Sequence, residues 1–188
     1  MAQFETYNLD NVKDAGRKTL ESIEKGYGFV PNLLGTMIES PATTNAYLAL
    51  GKLFGQTSFT DGEQQVISLT ASRVNECEYC VSAHSTVARG SALPGDVIDA
   101  IRGDQPIADE RLEALRLFVA QTVNQRGWLD NEQIEAFLDA GFTKEQVFEV
   151  VLGVSMKTIS NYINHIASTE LDEAFAAEAW HAPREAVA

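Results

Sequence analysis

The sequence predicts an all-α protein, and three observations favour that fold class. Glycine and proline fall mostly between segments rather than within them. No run of alternating apolar and β-branched residues is bounded by hairpin turn signals, as strands would require. Several stretches instead repeat apolar residues at helical spacing, often directly after a residue suited to capping a helix.

The first segments carry clear boundary signals. A polar amphipathic helix is expected near residues 10–25, closed by the Gly-Tyr-Gly segment at 26–28. A turn at 29–31 then precedes a short helix that ends near Glu39. Ser40 is a good N-cap followed by proline at the first helical position, which predicts a helix over 41–55.

Two further starts have the spacing of a capping box. Thr60 and Glu63 are placed to satisfy each other's backbone donors at the start of a helix that continues to about Val74. Asn75 and Glu78 repeat this spacing. The second box predicts Cys77 in the first turn of a helix that runs to about residue 89.

The C-terminal half predicts five more helical segments. A short helix follows Pro94, another spans about 109–125, and Asp130 caps a third over 131–140. The longest begins after residues 141–143, and a last one lies near 170–180. On the longest helix we expect one buried aliphatic stripe made of Val147, Val151, Val154, Ile159, Ile163 and Ile166.

Composition limits the function. The chain has 188 residues, with 14 Lys and Arg against 27 Asp and Glu, a formal net charge of −13. A 45% hydrophobic fraction is ordinary for a globular protein, so we expect a single domain over 1–188, with its core at about 40–170 and a frayed tail at 181–188. The charge disfavours nucleic acid and anionic membranes as partners.

The cellular compartment follows from two expected absences. We find no apolar run long enough to span a membrane and no basic-then-apolar leader, which favours the cytoplasm. Thiols there are kept reduced, so the two cysteines are expected to do chemistry rather than form a permanent disulfide.

The segment from Cys77 to His84 carries the chemistry. On a helix, Cys77, Cys80 and His84 fall within about 60° of arc, so both thiols and the imidazole share one face. A helix N-terminus favours thiolate over thiol, and His84 is placed one turn beyond Cys80 to take its proton. Such a pair can attack a hydroperoxide and then close a disulfide, which predicts a two-electron peroxidase that needs no cofactor.

The sequence leaves open which of the two cysteines attacks the peroxide and which resolves the sulfenic acid. We favour Cys80 as the attacking residue because its base lies at i+4, with Cys77 resolving the sulfenic acid; a thiol nearer the helix start is usually more acidic, which favours the reverse. Inert buried cysteines are one alternative. A zinc site made of Cys77, Cys80, His84 and His165 is another, although only one close ligand pair is present. His181 is expected to be solvated.

At this motif the chain resembles the alkylhydroperoxidase D (AhpD) and carboxymuconolactone decarboxylase superfamily, and most closely its peroxidase-related branch. The resemblance covers roughly residues 40–170. It is carried by the Cys-x-x-Cys-x-x-x-His segment within 75–85 and by the Asn-Tyr-Ile-Asn-His segment at 161–165.

The resemblance implies an AhpD-like helical bundle with the CxxC motif at the start of a core helix. It also implies antioxidant peroxidase activity on small hydroperoxides, electrons supplied by a dithiol or lipoyl-bearing protein, and a homo-oligomer, either a trimer or a hexamer. Cys77 and Cys80 match the family's redox pair, and His84 matches its relay histidine.

Three positions bear on the relay. Gln65 stands where the family often has a glutamate, and an amide can orient His84 but cannot accept its proton. Glu63 is close in sequence but already has a capping use. Tyr79 stands where some members carry a histidine, and we expect it to pack or to hydrogen-bond.

Because of these departures from the family pattern, we keep two alternative hypotheses for the function beside the peroxidase. One is a redox-responsive or zinc-binding helical module that does not turn over peroxide. Another is a ring-decarboxylating enzyme like carboxymuconolactone decarboxylase, against which the thiol pair argues.

Overall fold

The computed structural model describes residues 3–183 and contains, within them, nine α-helices, one 3-10 helix and no strand. The all-α prediction is therefore confirmed. The α-helices are α1 Asp14–Tyr27, α2 Asn32–Met37, α3 Pro41–Phe54, α4 Asp61–Val74, α5 Glu78–Arg89, α6 Gly95–Arg102, α7 Glu110–Asn124, α8 Asn131–Asp139 and α9 Lys144–Ala167; the 3-10 helix is Glu173–Glu178.

Side-chain caps start the helices where short-range signals predict them. Ser40 Oγ accepts from Thr43 N at the start of α3, and Asp130 caps α8. The capping box of Thr60 and Glu63 is present at α4. These helix starts are confirmed. They could be predicted because each capping interaction joins residues within about four positions and needs no tertiary partner.

Helix α4 is the centre of the bundle. It packs against α5, α6, α7 and α9, and its Val66, Ile67 and Leu69 are fully buried. The close crossing of α4 and α9 depends on Gly153, because a Cβ there would lie 2.7 Å from the Phe54 ring and 2.8 Å from Ile67. This approach brings polar side chains of α9 next to the start of α5.

The C-terminal segment crosses α5. The predicted helix near 170–180 is only the 3-10 helix Glu173–Glu178, which packs on α5. Of the predicted frayed tail, residues 184–188 lie outside the described residues. The first residues of the predicted tail are attached to α5, because Ala182 N donates to Glu78 Oε1 at 3.1 Å. Within residues 3–183, no helix combines the length and apolar character needed to cross a membrane.

Candidate active site

The first cysteine lies in the turn between α4 and α5. Asn75 ends α4, its N–H donating to Ala71 O at 3.1 Å, and Glu76 adopts the left-handed region at φ 56°. Cys77 is then the N-cap of α5, and its N–H donates to Ser72 O at 2.9 Å.

The predicted capping box at Asn75 is therefore wrong. Helix α5 begins two residues later than that box requires, since Asn75 is still part of the end of α4. Glu78 uses its carboxylate on the C-terminal segment instead, accepting from Ala182 N. Cys80 still lies in the first turn of α5, so the electropositive helix end is retained.

Both sulfurs are buried and share a polar partner from α9. Cys77 and Cys80 are 0% and 1% exposed. Asn164 Nδ2 donates to Cys80 Sγ at 3.3 Å and to Cys77 Sγ at 3.6 Å. Cys80 Sγ also lies 3.7 Å from Ser160 Oγ. The two cysteines are free thiols placed one helical turn apart.

His84 contacts an amide and an ammonium group. Its Nδ1 lies 3.0 Å from Gln65 Oε1, and its Nε2 lies 2.8 Å from Lys157 Nζ. With the amide oxygen accepting, Nδ1 carries the hydrogen and Nε2 presents its lone pair to Lys157. Gln65 therefore contacts His84 in a way that can orient the ring. The partner of Nε2 is Lys157 rather than the Cys80 thiol.

The surroundings move the pKa values of the two thiols apart. Burial raises the pKa of Cys80, but the hydrogen bond from Cys77, the Lys157 charge and the hydrogen-bonding contacts with Ser160 and Asn161 outweigh burial and lower it to about 5. The hydrogen bond to Cys80 and burial raise the pKa of Cys77. The site is thus built for one thiolate, on Cys80, that accepts a hydrogen bond from the Cys77 thiol.

The pKa values of the two basic groups, His84 and Lys157, are also shifted in opposite directions. Burial and the neighbouring Lys157 charge lower the pKa of His84 well below its usual value, so the imidazole is neutral. Burial opposes the charge of Lys157, but the negative Cys80 next to it raises the Lys157 pKa overall. The positive charge of the site therefore resides on the lysine.

Sequence reasoning missed Lys157, Ser160 and Asn164, because it assigned the wrong face of α9 to the core. Of the expected buried stripe, Val151 and Ile166 are exposed, and none of its members is fully buried. The buried face consists of Gln146, Val150, Gly153, Met156, Lys157, Ser160, Asn161 and Asn164. A usable signal was present, since Lys157 is the only charged side chain between Glu149 and His165.

The remaining candidates have partners other than the sulfurs, although Tyr79 packs in the same buried cluster as the two cysteines. Glu63 stays in its capping box and pairs with Arg111 at 3.0 Å, away from His84. Tyr79 OH donates to Asp172 Oδ2 at 2.5 Å. His165 is exposed and stacks near Tyr162. Among the described residues, no group of three or more His, Cys, Asp or Glu side chains is arranged to hold a metal ion.

The exposed His181 still has a partner. Its Nδ1 lies 3.3 Å from Glu78 Oε2. This contact adds to the bond from the neighbouring backbone in holding the C-terminal segment on α5.

An apolar cavity of about 280 Å³ borders Cys80. Cys80, His84 and Lys157 line it together, and exposed Tyr27 and Val87 stand at its edge. The other lining is mostly apolar and includes four more residues with aromatic rings: Phe29, Tyr47, Tyr79 and Phe175. The Cys80 residue, although it is buried, is therefore part of the wall of a cavity suited to a hydrophobic ligand.

Residues 41–121, which include α4 and α5, match the family model described as the carboxymuconolactone decarboxylase family. This match covers 81 of the 188 residues, and it is the central stretch of the chain that is similar to this family. The matched stretch holds Cys77, Cys80 and His84, whereas Lys157 and Asn164 lie beyond it. No curated protein matches the chain significantly.

Several solved structures have a similar fold over nearly the whole chain. A peroxidase-related protein with an AhpD core from Ralstonia eutropha JMP134 has a TM-score of 0.78 at 22% identity, covering 92% of this chain and 93% of that one. A peroxidase-related protein from Silicibacter sp. TM1040 has 0.77 at 18%, covering 93% and 96%. The debrominase Bmp8 bound to 2,3,4-tribromopyrrole has 0.75 at 20%, covering 89% and 92%.

Proposed function

We propose that the protein is a thiol-dependent peroxidase that reduces organic hydroperoxides. The observation that carries this proposal is the position of Cys80. Cys80 lines an apolar cavity, its sulfur accepts a hydrogen bond that favours the thiolate, and a second thiol lies within the same helical turn. Low-pKa thiolates with a resolving neighbour are the usual arrangement for two-electron peroxide reduction.

The reaction divides into two steps. The Cys80 thiolate attacks the outer oxygen of the hydroperoxide, so Cys80 becomes a sulfenic acid and the peroxide leaves as an alcohol after gaining a proton. Cys77 then attacks the Cys80 sulfur, which forms the disulfide and releases water. The raised pKa of Cys77 keeps it protonated until that second step.

His84 and Gln65 act in support. Gln65 fixes the ring through Nδ1, and the ring then fixes Lys157 through Nε2. An uncharged amide suits this arrangement because the imidazole stays neutral. The absence of the family's glutamate is therefore compatible with activity at Cys80.

A dithiol donor, such as a lipoyl-bearing protein, is proposed to return two electrons to the Cys77–Cys80 disulfide. Each thiol of the donor in turn attacks a sulfur, so the donor leaves as its own disulfide. Turnover of tert-butyl hydroperoxide with dihydrolipoamide, thioredoxin and glutathione as separate donors ranks these reductants. We expect dihydrolipoamide, the small dithiol, to be the fastest of the three donors.

A homo-oligomer is proposed as the working form. Helix α9 exposes Phe148 at 75% and Ile166 at 69%, with Val151 between them at helical spacing. Exposed apolar stripes of this kind are commonly covered by another subunit. Light scattering on the wild-type chain and on the double variant Phe148→Glu/Ile166→Glu tests this, since the charges should lower the mass to that of one chain.

The decisive experiment counts thiols, which is simple because the chain has only two cysteines. One equivalent of cumene hydroperoxide should remove both thiols of the wild-type protein reversibly. Cys77→Ser should stop at a sulfenic acid that dimedone traps, and Cys80→Ser should not react. The double Cys→Ser variant gives the background. Unchanged peroxide consumption in both single variants would reject the proposal.

The same experiment distinguishes the other functions. Reaction retained in Cys80→Ser but lost in Cys77→Ser would reverse the roles of the two thiols. Reversible loss of two thiols without turnover by any dithiol would indicate a redox-responsive module. Stoichiometric zinc in the purified protein, with both thiols protected from oxidant, would indicate the metal-binding alternative.

A second candidate is reductive dehalogenation of an aromatic ring, which the aromatic lining of the cavity favours. One of the similar folds is a debrominase, although that likeness is one of fold. The balanced reaction converts an aryl bromide and the two thiols to the arene, the disulfide and hydrogen bromide. Bromide release from 2,3,4-tribromopyrrole, measured by ion chromatography with and without Cys80→Ser, tests it.

A further inference from the structure

Lys157 is a buried charge that the sequence motif does not include. Its side chain is 1% exposed, on the face of α9 that covers α4 and α5. Desolvating an ammonium group costs several kcal/mol unless it is paired. Its two partners here are His84 Nε2 at 2.8 Å and the Cys80 sulfur. Lys157 is thus a charged donor beside the reacting sulfur, in addition to the neutral amide of Asn164.

His84 is not placed to move this proton. Nδ1 is held by Gln65, and the lone pair of Nε2 is occupied by Lys157. A ring in this state fixes the position of Nζ and carries no free site directed at Cys80. Among the residues that line the cavity, Lys157 is the one that carries a positive charge and a proton to give up.

We propose that Lys157 is the general acid that protonates the departing alkoxide, with His84 as its positioning residue. The inference rests on the proposed peroxidase function. Cleavage of the O–O bond by the Cys80 thiolate leaves an alkoxide, which is too basic to leave readily without a proton. Lys157 contacts His84, is hydrogen-bonded to Cys80, and is one of the residues that line the cavity into which that oxygen departs.

The proton balance closes over the whole cycle. The Cys80 thiolate, the hydroperoxide and the Lys157 ammonium give the Cys80 sulfenic acid, the alcohol and a neutral lysine. The thiol proton of Cys77, carried by that lysine, then converts the leaving hydroxide to water as the disulfide forms. Reduction by a dithiol supplies two protons, one to the Cys77 thiol and one that restores the Lys157 ammonium beside the Cys80 thiolate.

The test compares two peroxides that differ in leaving group. Tert-butyl hydroperoxide releases a strongly basic alkoxide, whereas peracetic acid releases weakly basic acetate. Rates of thiol loss are measured at a pH where absorbance at 240 nm shows Cys80 fully ionised. For Lys157→Met we expect about a 10²–10⁴-fold loss with the alkyl hydroperoxide and less than about tenfold with the peracid.

Lys157→Arg separates charge from proton transfer. Arginine keeps a positive charge for the thiolate but gives up its proton poorly. It should show the same split between the peroxides, and full recovery with the alkyl hydroperoxide would assign Lys157 to charge alone. Lys144→Met, an exposed change on the same helix, should match the wild type. Circular dichroism verifies that each variant is folded.

The wild-type protein gives a third result that needs no variant. Its preference for peracid over alkyl hydroperoxide should be at least about tenfold smaller than that of free glutathione thiolate, because an enzymic acid assists the poorer leaving group. An equal preference, or an equal loss with both peroxides in Lys157→Met, would overturn the inference. Failure of the wild type to react with either peroxide would instead reject the peroxidase function.

Discussion

Asn164 donates an amide hydrogen to the Cys80 sulfur at 3.3 Å, while its own Oδ1 is buried without a hydrogen-bond partner among the described residues. A hydrogen bond to a charged group is worth about 1.5–3 kcal/mol, so removing it should raise the pKa of Cys80 by about one to two units. We therefore expect Asn164→Leu to slow peroxide reduction at low pH more than at neutral pH.

Absorbance at 240 nm against pH measures this change directly. Leucine has a similar size and removes an unpartnered oxygen, so the free energy of unfolding should fall little. Asn124→Leu, an exposed change at the end of α7, is the control. A Cys80 titration unchanged by Asn164→Leu would show that this amide does not hold the thiolate.

Acid should switch the site off near the pKa of Cys80. That pKa is about 5, so the rate constant for peroxide should be flat above about pH 6 and fall tenfold per unit well below pH 5. Stopped-flow rates from pH 4 to 8 provide the measurement. A profile that rises through pH 8–9, as for an ordinary thiol, would contradict it.

The free energy of unfolding should also depend on pH through the ionisation of Cys80. Because the Cys80 pKa is lower in the folded state than its ordinary value of 9.0, the unfolded chain binds more protons between these two pH values. The contribution to the free energy of unfolding is present above pH 9 and is lost as the pH falls toward 5, by up to about 1.4 kcal/mol per unit. Urea unfolding of wild type and Cys80→Ala between pH 5 and 8 should differ by this slope.

Gln65→Glu should convert His84 from a neutral to a charged ring. A carboxylate at the Gln65 Oε1 position, 3.0 Å from Nδ1, raises the pKa of His84, and the imidazolium then cannot accept from Lys157. We expect peroxide reduction to slow by on the order of tenfold, the worth of about one hydrogen bond. The His84 ring signal in proton NMR should titrate near neutral pH, unlike in the wild type or in the exposed control Gln125→Glu.

Helix boundaries were predictable where the cause is local. The starts at Ser40, Thr60 and Asp130 follow from side chains that bond backbone donors within the next three residues. The same rule failed at Asn75, because one residue can end a helix or begin one. The left-handed turn at Glu76 decides between these outcomes, and it depends on how α4 and α5 pack.

The motif predicted half of the candidate site. The proximity of Cys77, Cys80 and His84 follows from their spacing at one helix start, whereas the sequence left open whether Gln65 or Glu63 contacts His84. Lys157 and Asn164 come from α9, about 80 residues later, and reach the sulfurs only through the close α4–α9 crossing at Gly153. Because α9 has aliphatic residues on more than one face, the hydrophobic pattern did not indicate that its buried face is largely polar.

Tyr79 links the redox helix to the C-terminal segment, and this link gives a last prediction. Its hydroxyl donates to Asp172 at 2.5 Å and accepts from Leu33 N at 3.2 Å. Tyr79→Phe leaves both buried partners short of a hydrogen bond, so the free energy of unfolding should fall by about 1–3 kcal/mol.

The loss should be concentrated near the cavity. Phe175, which lines the cavity and packs edge-on against Tyr79, lies three residues after Asp172. Amides of residues 170–182 should therefore exchange hydrogen faster in Tyr79→Phe, and the KM for cumene hydroperoxide should rise while the Cys80 titration stays in place. Tyr162→Phe, at a side chain 54% exposed, should change none of these. Unchanged exchange in 170–182 would mean that the segment is held by its other hydrogen bonds, such as those to Glu78 and Arg102, without the help of Tyr79.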